Sequence, residues 1–251
     1  MKISIRGTLF TCCALLALIG TALSGCEKST PSDTTAPDPP VLLPTPPDSA
    51  WDETGTDAMA EADWIRVTWL SNQEDDLSGY KIYRSSPPLN LDTLLAVQTV
   101  GSAEADTLFD DTSLSLGVRY TYMVTAFDLS GNESGASEEV NYMLIPKLDA
   151  ENLISPRGTV SDRRPVFTWT STGESVENYL RVYDSDQDRT VWVSEGQNSF
   201  SSPHELIYNA DGTAADSLLL PRHEYWWRVD RTGSELRSGS ESNWVSFTIE
   251  N

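Results

Sequence analysis

The sequence predicts an all-β protein of two tandem antiparallel β-sandwiches, and three observations carry that prediction. Apolar residues alternate with period two, as in Ile65-x-Val67-x-Trp69, and no segment beyond the proline-rich stretch sustains a helical period. The strand-like runs are short and are separated by turns rich in Gly, Pro, Asn and Asp. The pattern also occurs twice. Phe167-x-Trp169 repeats the first strand, Leu180 and Val182 follow it as Tyr80 and Ile82 follow Trp69, and Leu219, Arg222, Tyr225, Trp227 and Val229 match Leu114, Gly117, Tyr120, Tyr122 and Val124. A repeat of roughly a hundred residues denotes duplicated domains, because solenoids repeat every 20 to 50.

The 251 residues divide in chain order. Residues 1–25 carry Lys2 and Arg6, then an apolar run from Leu9 to Ala22, then small residues, which is the layout of an export signal. The run falls short of the roughly 20 residues that span a bilayer. Leu23-Ser24-Gly25-Cys26 resembles the lipobox of bacterial lipoproteins. That resemblance implies cleavage before Cys26, lipidation of its thiol and a membrane anchor. Glu27, in place of an aspartate, leans the implied destination towards the outer membrane. Residues 26–38 read as a proline-rich tether, since the stretch from Glu27 to Pro47 holds seven of the fourteen prolines. The first sandwich is expected over 39–146 and the second over 151–251. After Cys26 there is no cysteine, so each fold must be held by packing, without disulfides or thiolate metal sites.

Within the first domain, WIRVTWLSNQEDDLSGYKIYRS and LSLGVRYTYMVTAFDLSGNES resemble a bacterial fibronectin type III domain. The resemblance implies that Trp69 is the core tryptophan of the second strand and that Tyr120 is a corner tyrosine bonded to nearby backbone. The second domain is more distantly similar. Arg222 stands at its corner where the pattern has glycine, which puts the turn geometry in question.

In LLPRHEYWWRVDR, a corner role for Tyr225 places Trp227 and Val229 inward, and Trp226 and Arg228 outward. Trp226, Trp64 and Trp192 are therefore candidate stacking residues for a sugar ligand, although an outward indole also packs against a neighbour such as Arg228. Asp184, Asp186, Asp188 and Glu195 have the spacing of a calcium loop, but Arg189 occupies its glycine position and both flanks are strand-like, so a hairpin turn is the expected reading. Asp75, Asp76, Asp128 and Asn132 share one end of the first sandwich and could share a cation such as calcium, although solvated turn residues are the expected reading. The acidic insertion Asp48 to Asp63 reads as a mobile loop and a candidate partner site.

With 17 basic and 38 acidic residues the net charge is −21, which excludes nucleic acid as a partner. No nucleophile elbow, phosphate loop or zinc helix occurs. The expected function is that of a lipid-anchored, non-catalytic binding or scaffold module of the cell envelope, contacting a protein; the alternative is a glycan-binding accessory module.

Overall fold

The structure is a computed structural model and describes residues 33–87, 92–99, 107–171, 175–198 and 202–251. The expected export signal and Cys26 lie outside the described residues. The chain engages the first sandwich before the end of the expected tether. Asn132 donates a side-chain hydrogen bond to the Thr35 carbonyl at 3.4 Å, and the Asp38 amide donates to Glu74 at 2.6 Å.

One sheet of the first sandwich is built on β3 (Ile65–Leu70), flanked by β6 (Leu108–Asp111) on one edge and by β1 (Val41–Leu42) and β2 (Asp57–Ala58) on the other. The other sheet runs β5 (Thr93–Thr99), β4 (Leu77–Ser85), β7 (Arg119–Asp128), β8 (Val140–Leu144). The alternation in IRVTWL buries Ile65, Val67 and Trp69 and turns Arg66 and Thr68 outward. These three meet Tyr80, Ile82, Tyr122 and Val124 from the facing sheet, with the Trp69 and Tyr80 rings 5.3 Å apart edge to face. Two or more large apolar groups per strand pair, each worth roughly 1.5–3 kcal/mol when buried, hold the sheets together.

The second sandwich repeats the plan. Its small sheet is β9 (Leu153–Ser155), β11 (Val166–Trp169), β15 (His204–Ile207). Its large sheet runs β10 (Gly158–Val160), β18 (Val245–Ile249), β16 (Glu224–Thr232), β12 (Glu177–Asp184), β13 (Arg189–Val193), with β14 (Gln197–Asn198) on the end of β12 and β17 (Ser238–Glu241) on the end of β16. Trp192 and Trp227 pack on Phe167 and Trp169 is buried in the same cluster, so this core is heavier in indole than the first. Strand pairing corrects one detail of the repeat. Ile82 faces Val124 and Leu180 faces Val229, so β12 matches β4 two residues earlier than the distances from the tryptophans suggest. A shift of two preserves which residues point inward.

Both corners close the same way. The Ser115 amide donates to the Tyr120 hydroxyl at 3.0 Å, and the Leu220 amide to the Tyr225 hydroxyl at 2.8 Å. Gly117 and Arg222 share the left-handed conformation, at φ 72° and 67°, and their amides donate to Leu144 and Ile249, each at 2.8 Å. Arginine thus adopts the geometry that glycine takes freely, at a cost of roughly 1–2 kcal/mol.

The two large sheets are continuous. β17 pairs with β8 in parallel, Ser238 against Met143 and Gly239 against Leu144, and the Met143 and Ile145 amides donate to the Arg237 and Gly239 carbonyls at 3.1 and 3.0 Å. This pairing covers the otherwise open edge of β8. Glycine is required at 239, where an added Cβ would lie 2.6 Å from the Arg231 carbonyl and 2.7 Å from the Tyr142 hydroxyl.

Candidate functional site

The outward face of the second sandwich's large sheet gathers the chemistry that the core does not use. Along β16, Tyr225, Trp227 and Val229 point in, so Trp226, Arg228 and Asp230 point out. Pairing then defines three rows across the strands. Tyr183 and Ser246 flank Trp226, Arg181 lies opposite Arg228, and Tyr179 lies opposite Asp230.

The first row is open to solvent. Trp226 is 37 % exposed beside Tyr183, whose hydroxyl donates to Asp188. The Trp244 ring lies 6.3 Å from Tyr183, inclined at 58°. The Arg228 guanidinium sits 4.7 Å from the centre of the Trp244 ring, so its cation–π partner is Trp244 and not the adjacent Trp226.

The second and third rows are buried and ionic. Two arginines facing each other across strands repel unless anions stand between them. Asp230 supplies one, taking Arg181 Nε at 3.1 Å and Arg228 Nε at 2.7 Å. Glu241 takes Arg228 Nη1 at 2.9 Å. Glu53, from the first sandwich, bridges both guanidinium groups, meeting Arg181 Nε at 2.9 Å and pairing with Arg228 Nη2. Burial disfavours the Arg228 charge, but Asp230, Glu241 and Glu53 outweigh it and hold its pKa above the ordinary arginine value.

Glu53 arrives on an excursion from an edge strand. β1 and β2 pair with opposite ends of β3 along one edge, Leu42 with Trp69 and Asp57 with Arg66, and residues 44–56 leave the sheet between them. The expected mobile loop is therefore a docked one. Arg181 donates to the Trp51 carbonyl at 3.1 Å and to the Ala50 carbonyl at 2.9 Å. The following turn, where the Met59 amide donates to the Trp64 carbonyl at 3.2 Å, carries Trp64 at 41 % exposure and sends Glu61 to the Trp244 amide at 3.4 Å.

Trp192 is not on this face. A bulge between Val182 and Tyr183 sets Trp192 opposite Val182, and its ring is fully buried against Phe167 and Tyr208, with Nε1 donating to Asp211 at 2.9 Å. Alternation alone could not locate it, because the bulge leaves Val191 and Trp192 both buried.

The four calcium-spaced acids do not converge. β12 and β13 form a hairpin around residues 185–188, and Asp184 is fully buried, accepting the Asp186 and Gln187 amides at 3.0 and 3.2 Å and facing His223 Nδ1 at 2.9 Å. Asp186 joins Asp184 and His223 in one group, and its carboxylate accepts the Glu224 amide at 2.7 Å. Asp188 instead accepts from Tyr183, and Glu195 lies beyond β13, where its amide donates to Asp211 at 3.0 Å. Arg189, at the position where a calcium loop has glycine, pairs with Asp216 at 2.6 Å. In the first sandwich Asp128 accepts the Ser130 and Asn132 amides, both at 2.8 Å, and the Asn132 side chain at 2.7 Å, which is the work of a turn residue.

Sheet order and both tyrosine corners now define the class. The fold is all-β, two sandwiches similar to fibronectin type III domains. No family model matches the chain. Over 175 residues it is 27% identical to Exoglucanase B of Cellulomonas fimi, a stretch that is 65% of this chain and 14% of that protein. Over 75 residues it is 36% identical to an amylopullulanase of Thermoanaerobacterium thermosulfurigenes, covering 30% of this chain and 4% of the other. The chain therefore spans only a small part of the length of these curated relatives. Among solved structures it aligns with a Fn3-like protein from Clostridium thermocellum at 23% identity and a TM-score of 0.32, covering 45% of this chain and 98% of that one. A β-1,2-glucanase from Parabacteroides distasonis aligns at 26% identity and a TM-score of 0.35, over 48% of this chain and 14% of the other.

Proposed function

We propose that this chain is a non-catalytic binding and spacing module of the cell envelope, tethered through a lipidated Cys26, with the outer membrane as its destination. Its two sandwiches act as one stiff unit that holds preformed surfaces at a set distance and orientation. The observation that carries this reading is the double linkage between them, the β8–β17 pairing and the Glu53 bridge across Arg181 and Arg228. A merely flexible tandem has no use for a buried ionic contact, which loses solvation for both charges unless its geometry is good. Catalysis is assigned to partners, in keeping with relatives of which only a small portion is matched. Labelling cells with a lipid precursor tests the anchor: label on the wild type and none on Cys26→Ser is expected, and a Cys26→Ser protein that still partitions into membranes contradicts it. Cross-linking of the native protein followed by mass spectrometry tests for a protein partner.

A second reading is favoured by the open row Tyr183–Trp226 and by the names of the aligned relatives, an exoglucanase and amylopullulanases. Here the indole stacks on a neutral sugar, and the net charge of −21 disfavours an acidic polysaccharide. Retardation in gels containing starch or β-glucan that disappears in Trp226→Ala supports it; equal mobility of both proteins in every neutral polysaccharide contradicts it.

A further inference from the structure

The excursion 44–56 has a fixed base and a charged tip. At the base, Thr45 Oγ1 donates to the Thr56 carbonyl at 3.1 Å and accepts the Thr56 amide at 2.8 Å, while Thr54 donates to the Pro44 carbonyl at 3.1 Å and Thr68 to the Gly55 carbonyl at 2.9 Å. These neutral bonds tie the base to the first sandwich. The tip carries Asp48 and Glu53 onto the second sandwich, where carboxylates outnumber guanidinium groups: Asp48, Glu53, Asp57, Asp230 and Glu241 surround Arg181 and Arg228. A groove of about 710 Å³ lined by Pro46, Asp48, Asp57, Tyr142 and Leu236 reaches the Asp48 and Asp57 side of this cluster.

We infer that residues 44–56 form a proton-operated clasp between the two sandwiches, closing on Arg181 and Arg228 in mildly acidic surroundings and loosening in alkaline ones. The excess of carboxylates is the reason. With every acid ionised, Asp48 faces Asp57 of β2 and Asp230 of β16, with Tyr142 of β8 and Tyr179 of β12 beside them and Glu235 and Arg237 on the groove wall; among the described residues Arg181 and Arg228 oppose that charge at the tip, while Glu241 of β17 answers to Arg228 and to Arg66 of β3. A proton on Asp48 removes its share of the repulsion and leaves the bonds from Arg181 to the Ala50 and Trp51 carbonyls intact.

Burial first, then Asp57 and Asp230, push the Asp48 carboxyl up from 3.8 to about 7. Burial likewise raises Glu53, Asp57 and Glu241. A carboxyl whose docked value lies above its free value favours docking in the protonated form. Its contribution is therefore complete below about 4 and is lost as pH climbs through about 7. The clasp is independent of what the module binds and of how it is anchored.

Hydrogen exchange read by mass spectrometry on peptides covering 48–53, corrected for intrinsic rates, tests this. Opening should be roughly tenfold or more frequent at about pH 8.5 than at about pH 5.5 in the wild type, and Asp48→Asn, which mimics the protonated acid, should lose most of that response. Equal opening of the wild type at the two pH values, or a wild-type pH response in Asp48→Asn, overturns the inference. Carboxyl-carbon NMR of the wild type gives an answer without any variant: a midpoint for Asp48 near 7 is expected, and one near the ordinary 3.8 overturns it.

Discussion

In the first sandwich the outward row Lys81, Tyr83, Thr125 is closed by Glu133 of the same sandwich, which accepts Lys81 Nζ at 2.5 Å, the Tyr83 hydroxyl at 3.0 Å and the Thr125 hydroxyl at 2.7 Å. The matching row of the second sandwich, Tyr179, Arg181, Arg228 and Asp230, takes its bridging glutamate from the other sandwich. Strand pairing puts Tyr83 and Met123 where Arg181 and Arg228 stand. That exchange replaces a neutral pair by two like charges, and the second sandwich then needs an anion that its own strands supply only in part. One face is complete by itself and stays partly solvated; the other is complete only in the tandem. A pair of β-sandwiches on one chain, already joined by the β8–β17 pairing, thus gains a second linkage through two substituted side chains and one displaced loop.

The largest effect that should separate the faces comes from removing their anions. Asp230→Ala leaves Arg181 and Arg228 opposed in a buried setting and should cost about 3–5 kcal/mol in denaturant unfolding. Glu133→Ala, on the solvated face, should cost about 1 kcal/mol or less. Equal losses would remove the contrast. The seam comes next: Gly239→Ala drives a methyl against the Arg231 carbonyl and the Tyr142 hydroxyl, and should cost about 1–3 kcal/mol while splitting the unfolding curve into two transitions.

The corners offer a smaller, reciprocal test. Arg222→Gly relieves roughly 1–2 kcal/mol of left-handed strain, of which glycine's greater freedom when unfolded takes back about 0.5–1. A net gain of a few tenths of a kcal/mol to about 1 is expected in calorimetry, and Gly117→Arg should lose stability in the first sandwich. Smallest of all, Trp226→Ala should move stability by only about 0.5 kcal/mol, because the indole lies on the open row. That near-neutrality is what allows loss of sugar binding in the same variant to be read as loss of a contact.

The legible part of the fold was its local chemistry. Period-two alternation exposed Ile65, Val67 and Trp69 as one buried face, and the resemblance to fibronectin type III domains implied the corners at Tyr120 and Tyr225, because each depends on residues adjacent in one strand or turn. Arg222 obscured the second corner only by identity, since its backbone follows Gly117. What stayed hidden depends on partners far apart in sequence. The bulge beside Tyr183 sends Trp192 inward, the excursion 44–56 that reads as a mobile loop leaves an edge strand to dock, and the match of β4 to β12 slips by two residues. A signal did exist for the ionic face: alternation that puts Leu180 and Val182 inward also puts Arg181 outward like Arg228, two such arginines on neighbouring strands demand anions, and the segment from Asp48 to Asp63 carries six acids.

Residual dipolar couplings measured on the backbone amides of both sandwiches, in mildly acidic buffer, reach the central claim most directly. A single alignment tensor should fit the two sets together, as for one rigid body. Two tensors of different magnitude would mean that the sandwiches reorient independently, and neither the shared sheet nor the Glu53 bridge would then hold in solution.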